Sequence, residues 1–444
     1  MKRHILAACA AAALFAPAAH AQYTDNAIKI GLLSNFTAGG SEITGENSLI
    51  AVRMAIEDPG GKIGSTPIEL VYADHQGKAD IGATIVRKWF DVDGVDVVVE
   101  APFSPITLAV HEIVREKNKV FLASGGASTR LTGDLCSPNT VHWFPDSYSF
   151  VKATGEAIVK EYGAVPWFIL TRDDAFGSDV EKQIRDFLEA NGTKPAGVVK
   201  HPLNNADLSS FILQAQASKA KIIAVANGSQ DFVNTLKQAA EFNVLKDQKV
   251  VALSTFIEDI HGVGPKLTQG VLVANDFYWD LNDDTRKFSK RLMEKNGGKK
   301  PPSVNNAEAY SEVTHYLKAV KALGRDTDGK AVVAKMKELP TDDLAKGKGS
   351  IREDGRVLFP VYLFQVKSPA ESKNEWDLFK LVSTVPGDKA FRPLSQSDCP
   401  MIKKWVPAPL VRAGWEGRPR VIRPPGTFRA DPRRSKWVEK LGVA

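Results

Sequence analysis

The sequence predicts an α/β protein made of two lobes, each built on a doubly wound parallel sheet, and three observations lead to this fold class. Short apolar runs recur along the chain, and each ends in a loop rich in glycine, serine or aspartate. Amphipathic segments of helical length separate the runs, an alternation typical of parallel sheets covered on both faces. The series of runs restarts after residues 142–150, so one sheet ends there and a second begins.

The apolar runs are the predicted strands. The first series comprises residues 28–34, 68–74, 95–101 and 120–125. The second series comprises residues 167–174, 197–202, 222–228, 250–255 and 271–280. Helices are predicted at residues 43–57, 80–90, 150–162, 231–242 and 305–323. The residues of the last helix that share one face, and so predict a packing stripe, are Tyr310, Val313, Tyr316, Leu317 and Val320. Late in the chain, residues 361–369 and 376–384 predict a hairpin.

The first 21 residues predict a secretory signal peptide. Lys2 and Arg3 precede an apolar run, and the small-x-small sequence Ala19-His20-Ala21 supplies a cleavage site. A lipid-attachment box at residues 6–9 is the alternative. No later segment has the roughly 18 consecutive apolar residues that a membrane span requires. We therefore expect an exported, soluble protein with no membrane insertion after the signal is removed.

The net charge of +6 lies at the two ends of the sequence. The signal peptide is basic, and residues 405–444 form a tail rich in arginine and proline, so the residues between are almost neutral. This distribution gives no reason to expect a nucleic-acid partner. The tail has no periodicity and is expected to be extended or disordered, either as a genuine extension or as the product of a shifted reading frame.

Two cysteines, Cys136 and Cys399, remain once the signal peptide is removed. An even number of cysteines in an oxidising compartment is compatible with one disulfide that closes a very long loop. Two buried free thiols fit the sequence equally well.

The loops that follow the strands are the predicted ligand site, because ligands of such sheets lie outside the carboxyl ends of the strands. Ser104 and Pro105 predict a helix start, with the serine as N-cap and the proline in the first helical position. The free N–H groups and the positive dipole end of that helix attract an anion. Residues 124–129, with the sequence SGGAST, add N–H groups and the hydroxyls of Ser124, Ser128 and Thr129. Together these groups suit a carboxylate.

Aromatic residues from both series, and one acidic residue from the second, are further candidates for the site. Phe103, Tyr148, Phe176 and Phe256 would form an aromatic-lined cleft if all four pointed inward. Asp231 could accept the ammonium of a ligand, or it could simply complement a helix dipole from the first turn.

The sequence contains no complete motif for catalysis, metal binding or cofactor binding; Ser218 and Lys221 have S-x-x-K spacing, but the companion S-D-N and K-T-G motifs are absent. Neither G-x-x-x-x-G-K-[ST] nor G-x-G-x-x-G occurs, which argues against a nucleotide. His111-Glu112 starts a zinc-helix pattern, but Arg115 stands where the second histidine ligand would be. There is no G-x-S-x-G elbow, and the eight histidines do not cluster at metal-ligand spacing. We therefore expect no metal and no cofactor; an enzyme whose catalytic groups are scattered in sequence remains an alternative that no motif supports.

The order of several segments resembles one known family. These segments include FLASGGASTRLTG, DSYSF, DDAFGSDVE, LKQAAEF, DFYWDLNDDTRKFSKR, AYSEVTHYLKAVKALG and AFRPLSQSDCPMIKK. The chain resembles the type I periplasmic solute-binding proteins of branched-chain amino acid ABC transporters over residues 27–404. The resemblance implies two lobes joined by three crossover strands, a ligand clamped between them and delivery to the membrane subunits of an ABC permease. It also implies that the protein is not an enzyme.

The resemblance also implies roles for individual residues. The carboxylate-holding serine of the family matches Ser104, and its backbone and hydroxyl donors match Ala127 and Ser128. Its aromatic positions match Tyr148 and, with phenylalanine in place of tyrosine, Phe176. The loop NGSQD differs from the acid-bearing loop of the amino-acid binders, which puts Asp231 as an ammonium acceptor in doubt and would suit an aromatic or other non-amino carboxylate.

We therefore expect a periplasmic substrate-binding protein of an ABC importer whose ligand is a small carboxylate: a branched-chain or other amino acid, or an aromatic acid. The alternatives are a soluble ligand-sensing subunit and a secreted hydrolase. The expected boundaries are residues 1–21 for the signal peptide, 22–143 with 274–345 for lobe 1, 144–273 with 346–404 for lobe 2, and 405–444 for the tail.

Overall fold

The structure is a computed structural model that describes residues 23–402, so the signal peptide and the basic tail lie outside the described residues. Its strands are β1 Ile28–Ser34, β2 Lys62–Ile63, β3 Thr66–Asp74, β4 Val97–Glu100, β5 Val120–Ala123, β6 Thr140–His142, β7 Trp167–Arg172, β8 Gly197–His201, β9 Ile222–Ala226, β10 Lys249–Ala252, β11 Leu272–Asn275, β12 Ser350–Ile351, β13 Val357–Leu358, β14 Val361–Val366 and β15 Phe379–Val385.

The helices, in chain order, cover the intervening segments. They are α1 Gly45–Glu57, α2 Ala79–Lys88, α3 Ser104–Lys117, α4 Ser147–Tyr162, α5 Ala175–Ala190, α6 Ser209–Ala217, α7 Ser229–Glu241, α8 Ile257–Val263, α9 Pro265–Thr268, α10 Asp283–Lys295, α11 Val304–Leu323, α12 Gly329–Glu338 and α13 Gly387–Ala390.

The first lobe contains a six-stranded sheet in the order β2-β3-β1-β4-β5-β6. All neighbours are parallel except the short β2, which pairs antiparallel with β3. Ile28, Ile30 and Leu32 of β1 are fully buried, as expected for a strand covered on both faces. The chain winds outward from β1 to β3 and then returns to place β4 on the other side of β1. The loops that follow β1 and β4 therefore diverge and leave a crevice at the carboxyl edge.

The second lobe repeats this plan with a parallel sheet in the order β10-β9-β7-β8. Here the crevice opens between β7 and β9. The predicted continuation of this parallel series into residues 271–280 is wrong, because β11 joins a separate sheet, β11-β14-β15, in which both pairings are antiparallel. The predicted hairpin is confirmed as β14 and β15.

Helix α11 shows how local sequence fixes an element of the first lobe. The Ser303 hydroxyl accepts the N–H of Asn306, and the Asn306 side chain accepts the N–H of Ser303 in return. Gly324, with φ of 71°, ends the helix in the left-handed conformation. The five residues of the predicted packing stripe are all buried, so that prediction is confirmed.

Three crossovers connect the lobes, and buried polar contacts tie the crossovers together. The chain passes between the lobes after β6, after β11 and before β14. Lys346, which lies between α12 and β12, pairs with Asp276, which directly follows β11, at 2.5 Å, and both side chains are buried. Arg356 forms a bridge with His142, the last residue of β6. Cys136 and Cys399 are joined by a disulfide, with their Cα atoms 5.4 Å apart.

Candidate functional site

A cavity of about 60 Å³ lies where the carboxyl edges of the two parallel sheets face each other. Both lobes contribute to its wall through loops after β1, β4, β5, β7, β9 and β10, together with one crossover residue and one residue of α11. The residues that line it are Gly40, Ile43, Thr44, Pro102, Phe103, Ser104, Gly125, Ala127, Phe144, Arg172, Phe176, Gly228, Ser229, Ser254, Phe256 and Asn305. The cavity thus occupies the position that both crevices predict for a ligand.

Ser104 supplies a free hydroxyl to this cavity. The prediction of Ser104 as N-cap and Pro105 as first helical residue is wrong: Ser104 and Pro105 are the first and second residues of α3, and the cap position belongs to Phe103, whose φ is 71°. The Ser104 side chain is buried and makes no capping hydrogen bond. Its Oγ has no hydrogen-bond partner of any kind among residues 23–402. The first-turn N–H groups of a helix also have no acceptor within it. A ligand oxygen placed here would find both kinds of donor.

The SGGAST loop contributes less to the cavity than the sequence suggests. Ala127 and Gly125 line it, whereas the hydroxyls of the loop are used inside the protein. The Ser128 Oγ accepts the N–H of Arg130, so the structure places this hydroxyl in a local cap and not in the cavity wall.

The two other hydroxyls of that loop also have protein partners. Ser124 donates to Glu312 at 2.7 Å, and Thr129 donates to Asp179 at 2.6 Å. The Thr129 contact crosses from the first lobe to α5 of the second. The loop therefore serves partly to position the lobes.

The glycines of the loop are required by close packing. A Cβ on Gly125 would stand 2.5 Å from the Cα of Pro102, and a Cβ on Gly126 would stand 2.1 Å from the Thr107 hydroxyl. The loops after β4 and β5 can pack this closely only because these two positions lack side chains.

Phenylalanine rings form the apolar wall. Phe103, Phe176 and Phe256 line the cavity as the aromatic-cleft hypothesis requires, and Phe144 joins them with its ring centroid 6.0 Å from that of Phe256. Tyr148 does not, because its ring faces a different cavity, where the guanidinium carbon of Arg392 lies 5.4 Å from its centroid.

Asp231 is turned away from the cavity. It lies in the first turn of α7, and its carboxylate accepts the backbone N–H groups of Asn204 and Asn205 at 3.1 and 3.0 Å. Burial raises the pKa of Asp231, and it is absent from the cavity lining formed by the described residues. The role of ammonium acceptor therefore has no geometric support.

Sequence reasoning missed Arg172, which does line the cavity. It is the last residue of β7, its guanidinium carbon lies 4.6 Å from the centroid of Phe176, and its terminal nitrogen pairs with Asp174 at 2.9 Å. A charged residue that ends an otherwise apolar buried strand is a signal that could have identified it.

Two further properties concern the described part of the chain. Residues 23–402 contain no group of three or more histidine, cysteine, aspartate or glutamate side chains placed to hold a metal ion. Within the same residues, no helix combines the length and the apolar character needed to cross a membrane.

Comparison with known proteins agrees with this architecture. No curated protein matches the sequence. Among solved structures, a periplasmic binding protein from Burkholderia mallei is 42% identical, covers 85% of this chain and 100% of its own, and superposes with a TM-score of 0.83. A branched-chain amino acid ABC transporter periplasmic ligand-binding protein from Burkholderia xenovorans LB400 is 36% identical, covers 84% and 99%, and has a TM-score of 0.75.

A more distant structure shares the fold. It is a solute-binding protein of an ABC transporter from Rhodopseudomonas palustris BisB5 in complex with 3,4-dihydroxybenzoic acid, with 20% identity, coverage of 82% and 98%, and a TM-score of 0.73. The family model described as periplasmic binding protein matches residues 27–373. The two-lobed fold, the cavity between the lobes and this match lead to one conclusion: the chain belongs to the periplasmic binding protein family.

Proposed function

We propose that this chain is the substrate-binding protein of an ABC importer, that it works in the periplasm after loss of residues 1–21, and that it carries a small carboxylate to the permease without altering it. One observation carries the proposal: the buried Ser104 hydroxyl has no partner among the described residues and stands in the wall of a cavity enclosed by both lobes. The name of the 36% identical relative supports the transport role.

The chemistry of the cavity favours a carboxylate with an apolar remainder. The start of α3 combines the Ser104 hydroxyl with the positive end of a helix dipole, and such an end stabilises an anion. The four phenylalanines supply the apolar surface. At roughly 10–15 Å³ per water, the volume of about 60 Å³ corresponds to a few water molecules, which favours a small ligand.

Ligand binding is expected to be coupled to lobe closure. Because Ser104 lies in the first lobe and Phe176 in the second, a ligand contacts both only when the lobes are together. A ligand with this preference shifts the population toward the closed arrangement.

The composition of the cavity wall favours binding over catalysis. Its described residues include serines, but no histidine, aspartate, glutamate or lysine that could act as general base for them. The hydrolase alternative therefore gains no support from the site.

Thermal unfolding of the purified protein against a panel of small ligands tests the proposal. The panel contains leucine, isoleucine, valine, phenylalanine, benzoate, hydroxybenzoates and cinnamates, with neutral sugars as a contrast. A ligand at 100 times its Kd adds about 2.7 kcal/mol to the free energy of unfolding. Stabilisation by a carboxylate that is recovered unchanged supports the proposal. No stabilisation by any carboxylate, or turnover of the bound one, contradicts it.

The transport partner needs a separate experiment. Protein immobilised with its ligand is expected to capture permease subunits from a membrane extract of its own organism, and capture is expected to fall when the ligand is omitted. Capture of a signalling protein instead would favour the ligand-sensing alternative.

A further inference from the structure

Arg172 is the charged residue of the cavity wall. The other described lining residues are apolar, glycine or uncharged polar residues. Arg172 is 5% exposed, so its charge acts in a place with little water. Electrostatic interactions are stronger in such surroundings than at the protein surface. The sign of this charge therefore bears directly on what the cavity accepts.

The position of the Arg172 side chain is fixed on two sides. Asp174, which also caps α5 by accepting the N–H of Gly177, pairs with one guanidinium nitrogen at 2.9 Å. Phe176 packs against the guanidinium plane. One donor of Arg172 remains unpaired: its buried Nε has no hydrogen-bond acceptor within residues 23–402. A buried donor without an acceptor is unfavourable, and a ligand oxygen in the cavity would satisfy it.

An ammonium group would find no free carboxylate in the described cavity wall, and the carboxylate beside Arg172, that of Asp174, is already paired with it. The Asp231 carboxylate already accepts the N–H groups of Asn204 and Asn205. None of the described residues that line the cavity carries a carboxylate. The amide Oδ1 of Asn305 has no donor among the described residues and can accept a hydroxyl hydrogen, but it carries no charge to offset an ammonium. Placing a like charge beside a buried arginine is costly, so the site disfavours ligands that carry an ammonium.

We propose that Arg172 determines the ligand class by donating its Nε–H to an oxygen of the ligand and by excluding ligands that carry an ammonium. The site then takes oxo- and hydroxycarboxylates in preference to the amino acids with the same carbon skeleton. This inference rests on the proposed function, because it concerns the same cavity and the same carboxylate end.

Calorimetric titration with matched ligands tests the inference on the unmodified protein. Three skeletons are compared, each as amino, hydroxy and oxo acid: alanine, lactate and pyruvate; leucine, 2-hydroxy-4-methylpentanoate and 2-oxo-4-methylpentanoate; phenylalanine, phenyllactate and phenylpyruvate. In the skeleton that binds best, the oxo or hydroxy acid is expected to bind at least about tenfold more tightly than the amino acid.

The outcomes separate this inference from the proposed function. Amino acids that bind as tightly as their oxo and hydroxy counterparts, or more tightly, overturn the inference and leave the carboxylate-binding function standing. If no member of the series binds and none of the simple aromatic acids does either, the result contradicts both this inference and the proposed function.

Substitutions then assign the selectivity to Arg172. Arg172→Gln is expected to bring the ratio of oxo-acid to amino-acid affinity close to one, whereas a merely structural role would lower both affinities alike. Arg172→Lys keeps the positive charge but loses the fixed donor, so it is expected to bind the oxo acid more weakly and still reject the amino acid. Arg185→Gln, which removes an exposed arginine of α5 paired with Glu181, is the matched control and should keep the wild-type ratio. An unchanged ratio in Arg172→Gln overturns the assignment.

Discussion

At the scale of single residues, Ser104 gives the sharpest prediction. Replacing Ser104 with alanine removes the free hydroxyl of the cavity wall without removing a contact inside the protein, because this hydroxyl has no partner within the described residues. We expect the carboxylate affinity to fall by roughly 1.5–3 kcal/mol, the usual value for a hydrogen bond to a charged group. Calorimetric titration measures the change.

Ser128→Ala is the contrasting variant for this test. Its hydroxyl accepts the N–H of Arg130 and is absent from the described cavity wall, so its loss should leave ligand affinity close to that of the wild type. Wild-type affinity in Ser104→Ala, or a loss confined to Ser128→Ala, would contradict this assignment of the two serines.

Sequence reasoning identified the right loops more reliably than the right side chains. Ser104, Ala127 and Phe176 line the cavity because each follows a strand closely, where position alone brings the residue to the sheet edge. Asp231 follows a strand too, but its carboxylate finds two N–H groups about 27 residues earlier in the chain. Tyr148 similarly packs with Arg392. Such long-range partners leave no trace in a local pattern.

At the scale of structural elements, the packing of the loops after β4 and β5 depends on Gly125. The Cβ of an alanine there would lie 2.5 Å from the Cα of Pro102, which is backbone and cannot rotate away. We expect Gly125→Ala to lower the free energy of unfolding by about 1–3 kcal/mol, as overpacking usually does, and to weaken ligand binding because both loops line the cavity. Chemical denaturation and calorimetric titration measure the two effects.

Gly262→Ala is the control for that prediction. Gly262 is exposed in α8, and its new Cβ would meet the Val233 side chain at an ordinary 3.5 Å. Alanine is preferred over glycine in helices by about 0.5–1 kcal/mol, so this variant should be as stable as the wild type or more stable. A Gly125→Ala protein as stable as Gly262→Ala would show that the two loops can separate without cost.

Helix α5 makes a hydrogen-bonded contact that links the two lobes. Its Asp179 accepts the N–H of Thr129 at 2.8 Å and the hydroxyl of the same residue at 2.6 Å. Because Thr129 belongs to the first lobe, this pair exists only while the lobes are together. We expect Asp179→Ala to weaken ligand binding by roughly 1–3 kcal/mol although Asp179 does not line the described cavity.

Asp186→Ala on the same helix is the matched control. Asp186 pairs with Lys182 in an exposed i,i+4 arrangement, and such pairs contribute little. Calorimetric titration of both variants with one ligand should separate them. Equal affinities in Asp179→Ala, Asp186→Ala and the wild type would show that the Thr129 contact does not hold the lobes closed.

At the scale of the whole molecule, the alternation of apolar runs and helical segments was enough to predict two parallel sheets. It was not enough to assign β11, which pairs with β14 about 90 residues later and antiparallel to it. An apolar run predicts a strand, but the partner of that strand depends on the third dimension. The short β6, at Thr140–His142, was also missed, because three residues form too brief a run for a periodic signal.

The buried acid Glu258 leads to a prediction about the stability of the whole molecule. It lies in the first turn of α8 and is 6% exposed, and neither carboxylate oxygen has a hydrogen-bond partner among the described residues. Burial raises the pKa of Glu258 from 4.5 to about 7. The positive charge of Lys300 lowers this pKa and the negative charge of Glu42 raises it, but burial has the largest effect. Burial also raises the pKa of the adjacent Asp259, and the nearby Glu258 acts in the same direction.

The sign of the effect follows from the raised pKa. The folded protein binds the Glu258 proton more tightly than the unfolded chain does, so this contribution to stability is complete below pH 4.5 and is lost as the pH rises through about 7. The loss amounts to roughly 3 kcal/mol at most. Other buried acids shift in the same direction, among them Glu100, whose pKa burial raises to about 7. We therefore expect Glu258→Gln to flatten only part of the decline in stability between pH 5 and 8.

Chemical denaturation at pH 5, 6, 7 and 8 measures this contribution as the difference between wild type and variant. Glu258→Gln should gain stability relative to the wild type as the pH rises, whereas Glu189→Gln, at an exposed position of α5, should follow the wild-type curve. Parallel curves for the wild type and Glu258→Gln would mean that the Glu258 carboxyl ionises in the folded protein as readily as in the unfolded chain. In that case water or a cation must reach it in solution.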